Sequence, residues 1–433
     1  MNQPLSEPQY DGSGRPHVAM LPRESVGLAL GLVFLLGFLL RLMDLGGQSL
    51  WIDELLTLQQ GRVPGYSLWI QFLDDAQAAL PMVLATVMSE VSVSEIWLRL
   101  PSALLGALTL PILFEVVRRF ATDHAALIAT LLLAVHPMHI DHSQEVRGYA
   151  FMLFFGLAAT LTVLDGGGRP TPRQQVMLVL TGVLAGLSNL QGLLWMGGLA
   201  LGVFFGGRVR MADSVRWVIP FALILLLLSP WWSTMFEVHE TSRLVPGMET
   251  GEDLRGGSTW TPWALPWAGF VLSFGRTLGP TVSELHGGAS ADPWLVGLAI
   301  VAAGIVLVLA FQGLRRLGRR SWEPLLWIVP VVAVAVLLAV RNVKPFNPRY
   351  LLAALPVLLL LVAVGLDGMK AVTARWLLLG WMALTGLSLG RYYFDADYRH
   401  VDVRAAVAMV DERARSDDVV LVPTVKMVFD WYD

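Results

Sequence analysis

Apolar stretches recur eleven times along this chain, and no other feature limits its fold so tightly. They fall at approximately 25–43, 96–114, 125–140, 149–164, 175–189, 191–206, 215–232, 294–312, 325–340, 350–366 and 376–391. A helix crossing about 30 Å of hydrocarbon needs about 20 mostly apolar residues. Lipid offers no partners to backbone N–H and C=O groups, so a spanning segment must satisfy them within itself. The expected fold class is therefore an all-α polytopic membrane protein with about 11 transmembrane helices. Composition agrees: 55% of the 433 residues are hydrophobic and 15% charged, where soluble domains carry about a quarter charged. Around Asn189–Gln191 a hairpin with a tight polar turn and one kinked helix both fit the pattern.

Several classes are excluded or left without support. The net charge is −3, and no Lys/Arg run is interleaved with aromatics, so a nucleic-acid partner is not expected. The chain has no cysteine, which removes disulfides, thiolate nucleophiles and Cys-ligated metals. No Ser-His-acid order, Walker loop or dinucleotide fingerprint is present, and "DGGGRP" at 165–170 reads as a flexible loop. The polar start, 1–24, is long and mixed for a signal peptide, and the apolar segment after it lacks a clear small-residue cleavage site. It is expected to stay as an anchor.

Short loops rich in Lys and Arg remain in the cytoplasm. Arg15/Arg23, Arg118/Arg119, Arg169/Arg173, Arg208/Arg210/Arg216, Arg315/Arg316/Arg319/Arg320 and Lys370/Arg375 fall on alternate loops. The expected organisation is a cytoplasmic segment 1–24, a transmembrane domain 25–391 and a short outer-face C-terminal tail 392–433. Large outer loops span 44–95, with room for two amphipathic helices, and 233–293, where Trp260, Trp263 and Trp267 suit interfacial anchoring. The tail reads as a helix around 402–414 and an apolar strand at 419–423, packed on the membrane part. The location expected is the cell inner membrane, multi-pass, with the active site outside. Glycine pairs at 27/31, 182/186, 198/202 and 386/390 put small residues on one helix face for close packing.

Four groups of chemistry-bearing residues share the outer side. Asp53 and Glu54, in "SLWIDELLT", diverge whether extended or helical. One is then free to meet a substrate while the other is held by a cation or a metal. The dipeptide alone fits a solvated turn equally well. "HPMHIDHSQEVRGY", 136–149, holds His139, His142 and Glu145, a weak metal spacing, and pairs Glu145 with Arg147. "RNVKPFNPRY", 341–350, sets Arg341, Lys344 and Arg349 against the positive-inside bias; an anionic ligand such as a lipid phosphate offsets them, and so does simple headgroup anchoring. The loop 233–293 adds Glu237, His239, Glu240, Glu284 and His286 without a usable spacing.

The ordered stretches "LRLMDLGGQSLWIDE", "EIWLRLPSALLGALTLPILFEVVRR", "LLLAVHPMHIDHSQEVRGYAFML" and "NPRYLLAALPVLLLL" resemble the polytopic GT-C glycosyltransferases. The nearest group is that of the dolichyl-phosphate-mannose protein mannosyltransferases and bacterial aminoarabinose transferases, the 39/83-like families. The resemblance covers most of 25–366. It implies transfer of a sugar from a polyprenyl phosphate at the outer face, usually with inversion. By motif, Asp53 corresponds to the acid that activates the acceptor and Glu54 to its neighbour; Glu145 and Arg147 correspond to a second outer-loop motif that supports the site or a metal. Arg349 and Tyr350 match an "RY" near the donor phosphate, with Lys344 and Arg147 as further phosphate contacts. Relatives commonly carry a His-Pro-Pro-like stretch where this chain has "DDAQAALP", 74–81; the histidine is absent, which leaves Asp74 or Asp75 as candidate substitutes.

The function expected is thus a GT-C glycosyltransferase using a polyprenyl-phosphate sugar and a lipid, glycan or protein acceptor, among membrane lipids, with a divalent metal ion as a cofactor that the residues leave open. The alternative is a transporter or lipid flippase with an outward-facing charged site. A translocation path would place ionisable residues near midplane, whereas here they gather at outer helix ends.

Overall fold

A computed structural model describes residues 22–60, 79–207, 209–231, 264–279, 293–340, 347–395, 398, 402–415 and 426–432. The described residues form helices and no strand. In chain order they are α1 (Arg23–Leu42), α2 (Ile52–Gln60), α3 (Ala79–Ser89), α4 (Glu95–Arg118), α5 (Asp123–Ala134), α6 (Pro137–Asp141), α7 (Tyr149–Gly166), α8 (Pro172–Ser188), α9 (Leu190–Phe205), α10 (Val218–Leu228), α11 (Ala264–Phe274), α12 (Pro293–Leu317), α13 (Trp322–Val340), α14 (Leu355–Asp367), α15 (Ala371–Phe394), α16 (Val403–Arg413) and α17 (Lys426–Tyr432).

Among the described residues, six helical stretches are long and apolar enough to cross a membrane: 24–42, 95–118, 149–166, 293–337, 348–367 and 371–394. The third from last is 45 residues long and contains two of the expected spans, α12 and α13, folded back at a 3-10 turn over Gly318–Ser321. The other expected segments form shorter helices. The segment expected at 125–140 is broken because Pro137 holds His136 in an extended conformation (φ −71°, ψ 116°) and restarts the chain as α6. At Asn189 the chain is fully extended (φ −166°, ψ 147°), and its side chain accepts from Gln191 N at 3.0 Å. This settles the local alternative as two helices, α8 and α9, meeting at a one-residue corner.

Burial ranks the helices. In the spanning window of α14 and the turn before it 83% is buried, against 17% for α1 and 22% for α15, so α14 is central and the other two are peripheral. A Cβ on Gly313 of α12 would lie 2.0 Å from Leu361 O, and one on Gly365 of α14 would lie 2.2 Å from Leu309 O. The two backbones therefore touch reciprocally, which only glycine permits. Of the expected glycine pairs, Gly182/Gly186 and Gly198/Gly202 are packed against α10 and α13, while Gly27/Gly31 and Gly386/Gly390 face open space. Trp267 is buried in the core rather than at an interface; Trp260 and Trp263 lie outside the described residues.

At one end of the bundle, α2, α3, α16 and α17 form a small second core of Leu50, Leu55, Leu58, Ala85, Leu98, Val146, Val403 and Val407, with Phe429, Trp431 and Tyr432 against it. Tyr432 Oη accepts from Leu50 N (2.7 Å) and donates to Glu95 (2.9 Å), and Arg404 pairs with the same Glu95 at 2.8 Å. The tail thus braces the back of α2. The strand expected at 419–423 lies outside the described residues.

Candidate active site

Helix α2 begins at Trp51, whose C=O accepts from Leu55 N at 3.1 Å, while Glu54 reaches back to Trp51 N at 3.3 Å. This is half of a capping box, and two carboxylates in the first turn also suit the positive helix end. Successive residues on a helix diverge by about 100°, and the two acids accordingly face different partners.

Glu54 is fully buried. Arg99, from α4, donates to it through Nε (2.8 Å) and Nη2 (2.7 Å), and Val146 N–H adds a third bond at 2.8 Å. The remaining Arg99 donors reach Leu45 O, Gln48 O and Ser49 O at 2.9–3.1 Å. One ion pair therefore fixes the 45–49 turn, the start of α2 and the 145–147 loop together. Breaking such a buried pair by removing one partner costs about 3–5 kcal/mol.

Asp53 faces the other way. Its Oδ2 accepts from Arg349 Nη1 at 3.1 Å, with the two side chains 21% and 27% exposed. Solvent thus reaches this pair and not Glu54. Arg147 Nη1 donates to Asp53 O (3.1 Å) and to Thr57 Oγ1 (2.9 Å), so it grips the backbone of the same helical turn.

Arg349 lies in a 3-10 turn, Pro348–Ala354, opened by Asn347, whose side chain accepts from Arg349 N at 3.0 Å. Gln191, at the start of α9, clamps that turn by donating to Arg349 O (2.9 Å) and accepting from Ala353 N (3.2 Å). The Tyr350 ring lies 5.7 Å from the guanidinium. Arg349 Nε is buried without a hydrogen-bond partner among the described residues, which leaves one aimed donor unused.

The histidines divide. His142 Nδ1 is 3.0 Å from Glu145 Oε2, and its ring packs on Tyr149 at 4.5 Å. His139 points to α1, where its Nδ1 accepts from Arg41 Nη2 at 2.6 Å. Arg41 is itself buried and donates to Gly37 O, Leu133 O and Ala134 O, closing the open carbonyl end of α5. His139, His142 and Glu145 thus do not form one donor set, and a guanidinium against His139 opposes a divalent cation. No group of three His, Cys, Asp or Glu among the described residues is placed to hold a metal ion. Asp141 pairs with Arg276 at 3.4 Å, and that carboxylate raises the arginine's pKa further. A cavity of about 20 Å³ lies between Asp44, Glu54, Arg99, Asp141 and Glu145, room for about one water.

Asp53, Glu54, Glu145, Arg147, Arg349 and Tyr350 are thereby gathered at one end of the bundle, around the first turn of α2. Lys344 and Arg341, Asp74 and Asp75, and the acids and histidines of 232–263 and 280–292 lie outside the described residues. Sequence reasoning missed Arg99 and Gln191. The available signal for Arg99 was an arginine inside an apolar segment, which needs a partner; Gln191 carried no signal beyond a polar turn.

Residues 78–233, a little over a third of the chain, match the family model of the dolichyl-phosphate-mannose-protein mannosyltransferases. No curated protein matches the chain by sequence. Among solved structures, apo ArnT from Cupriavidus metallidurans is similar at a TM-score of 0.55 and 16% identity, over 89% of this chain and 68% of that one. The same enzyme bound to undecaprenyl phosphate gives 0.51 and 17%, over 90% and 69%. The archaeal oligosaccharyltransferase AglB from Archaeoglobus fulgidus, in complex with an inhibitory peptide and a dolichol-phosphate, gives 0.52 and 13%, over 94% and 59%. The chain is thus a multi-pass membrane protein that shares the fold of ArnT and AglB, and its residues 78–233 match the family model of the dolichyl-phosphate-mannose-protein mannosyltransferases.

Proposed function

We propose that this protein transfers a sugar from a polyprenyl-phosphate donor to a hydroxyl-bearing acceptor at the outer face of the cell membrane, with inversion and with Asp53 as general base. The N-terminus is then cytoplasmic, as the arginine-rich loops at the other end of the bundle require. The observation that carries the reading is the 3.1 Å pair of Asp53 with Arg349. A base and an anion-binding cation, brought from opposite ends of the chain, meet where solvent reaches.

The pair also suggests an order of events. A donor phosphate and the Asp53 carboxylate compete for one guanidinium. The phosphate takes the Nε and Nη donors of Arg349 in bidentate fashion, with Tyr350 beside it. Asp53, released from Arg349 but still held through its backbone by Arg147, accepts the acceptor's hydroxyl proton. The acceptor oxygen forms its bond to the anomeric carbon as the bond to the phosphate oxygen breaks, and the phosphate leaves carrying the electron pair. Fixed positive charge at Arg349 stabilises that leaving group. Glu54 acts through Arg99 to hold α2 in position, and Glu145 with His142 holds the adjoining loop. The donor sets around His139 and His142, one facing a guanidinium and the other paired with Glu145, do not fit a metal.

The proposal is tested by incubating the purified protein with polyprenyl-phosphate sugars that differ in the sugar. Consumption of at least one donor, with release of polyprenyl phosphate, supports it. Passage of donor across a vesicle membrane without chemical change would instead identify a flippase.

A further inference from the structure

At the end of the bundle opposite Asp53, a cavity of about 610 Å³ opens between α4, α9 and α13. Helix α4 has 24 residues, so at 1.5 Å per residue its two ends are about 36 Å apart. The cavity therefore cannot belong to the candidate active site. Its lining includes three arginines, Arg119, Arg319 and Arg320, against one acid, Glu323.

The three arginines are not equivalent. Arg119 is committed to Glu115 at 3.1 Å and to Asp165 at 2.7 Å. Arg319 and Arg320 stand on the exposed turn between α12 and α13 and make no ion pair among the described residues. Positive-inside topology explains why arginines lie at this end; it does not explain why two that make no ion pair among the described residues border this cavity. The rim supplies the second observation. Phe205 and Trp322, which also line the cavity, are 66% and 61% exposed. Large aromatics at a helix end beside basic residues are the pattern of a membrane–water interface. The cavity thus has a cationic edge and an apolar edge.

We infer that this cavity binds a phosphate-bearing anion, seated against Arg319 and Arg320, and that the geometry favours the headgroup of an anionic phospholipid whose chains run past Phe205 and Trp322. Basic pockets between membrane helices have the chemistry for this, and an arginine fork suits phosphate oxygens.

The experiment compares the protein with Arg319→Gln/Arg320→Gln and with the charge-matched control Arg315→Gln/Arg316→Gln, whose residues stand on the preceding turn and do not line the cavity. Each is reconstituted in phosphatidylcholine nanodiscs doped with phosphatidylglycerol, and retained phosphatidylglycerol is counted by native mass spectrometry after transfer to neutral detergent. A parallel arm measures thermal stabilisation by inorganic phosphate in lipid-free detergent. The expected result is roughly tenfold lower retention in the first variant and unchanged retention in the control. Stabilisation by inorganic phosphate alone, abolished only in the first variant, supports the same site with a soluble anion as its source. Equal losses in both variants, or a loss in neither arm, overturn the site. Should the double variant fail to insert, Arg320→Gln read against Arg315→Gln makes the same comparison.

Discussion

Arg99 donates to both oxygens of the fully buried Glu54, at 2.8 and 2.7 Å, from a mostly apolar helix. Replacing Arg99 by Met strands a carboxylate with only backbone donors, and it should destabilise the protein by about 3–5 kcal/mol. The double variant Glu54→Leu/Arg99→Met removes both charges and should recover much of that loss. Thermal unfolding in detergent checks this, and equal midpoints for single and double variants would contradict the assignment.

Arg349 is expected to bind donor phosphate through more than charge. Arg349→Lys keeps the charge but lacks the planar fork. With charge-assisted hydrogen bonds contributing about 1.5–3 kcal/mol, Arg349→Gln should weaken donor affinity by roughly 10–100-fold, and Arg349→Lys by an intermediate factor. Donor titration of the purified variants reads this directly; identical affinities for Arg, Lys and Gln would remove Arg349 from the donor site.

Gln191 holds the Arg349 turn by two hydrogen bonds to its backbone. Gln191→Ala leaves the buried Ala353 N–H without its acceptor, which costs about 1–3 kcal/mol. It should raise the apparent KM for donor more than it lowers kcat. Gln191→Glu, able to accept but not to donate, should fall between.

Tyr432 ties the tail to Leu50 N and Glu95. Tyr432→Phe removes both bonds, one of them to a carboxylate, about 2–4 kcal/mol in all, and keeps the ring in the small core. Hydrogen exchange across 402–432 should accelerate while exchange in α7 and α14 is unchanged. No change in the tail would show that apolar contacts alone hold it.

The sequence revealed most where one physical rule acts alone. Apolar runs located most of the long described helices, because lipid leaves the backbone few other arrangements, but six stretches rather than eleven are long and apolar enough to span among the described residues. Charge sidedness grouped Asp53 with Arg147 and Arg349 before any contact was known. What failed depends on partners remote in the chain. His139 and His142 are three residues apart, yet Arg41, about a hundred residues earlier, turns the first toward α1. Gly27 and Gly31 have the packing spacing on a peripheral helix with nothing against them among the described residues, whereas Gly313 and Gly365 lie on different helices and share no local pattern. Arg99 and Glu54 were both visible as residues, and only the fold could pair them.

The central claim is that Asp53, and not its neighbour, is the base. Asp53→Asn keeps the shape of the side chain, leaves Glu54 with Arg99, and cannot take a proton. Single-turnover sugar transfer by this variant, with donor binding measured in parallel, is the most direct measurement. The account predicts transfer slowed by about 10²–10⁴-fold, with donor bound at least as tightly because Arg349 is relieved of its carboxylate competitor. Transfer at the unmodified rate would contradict it.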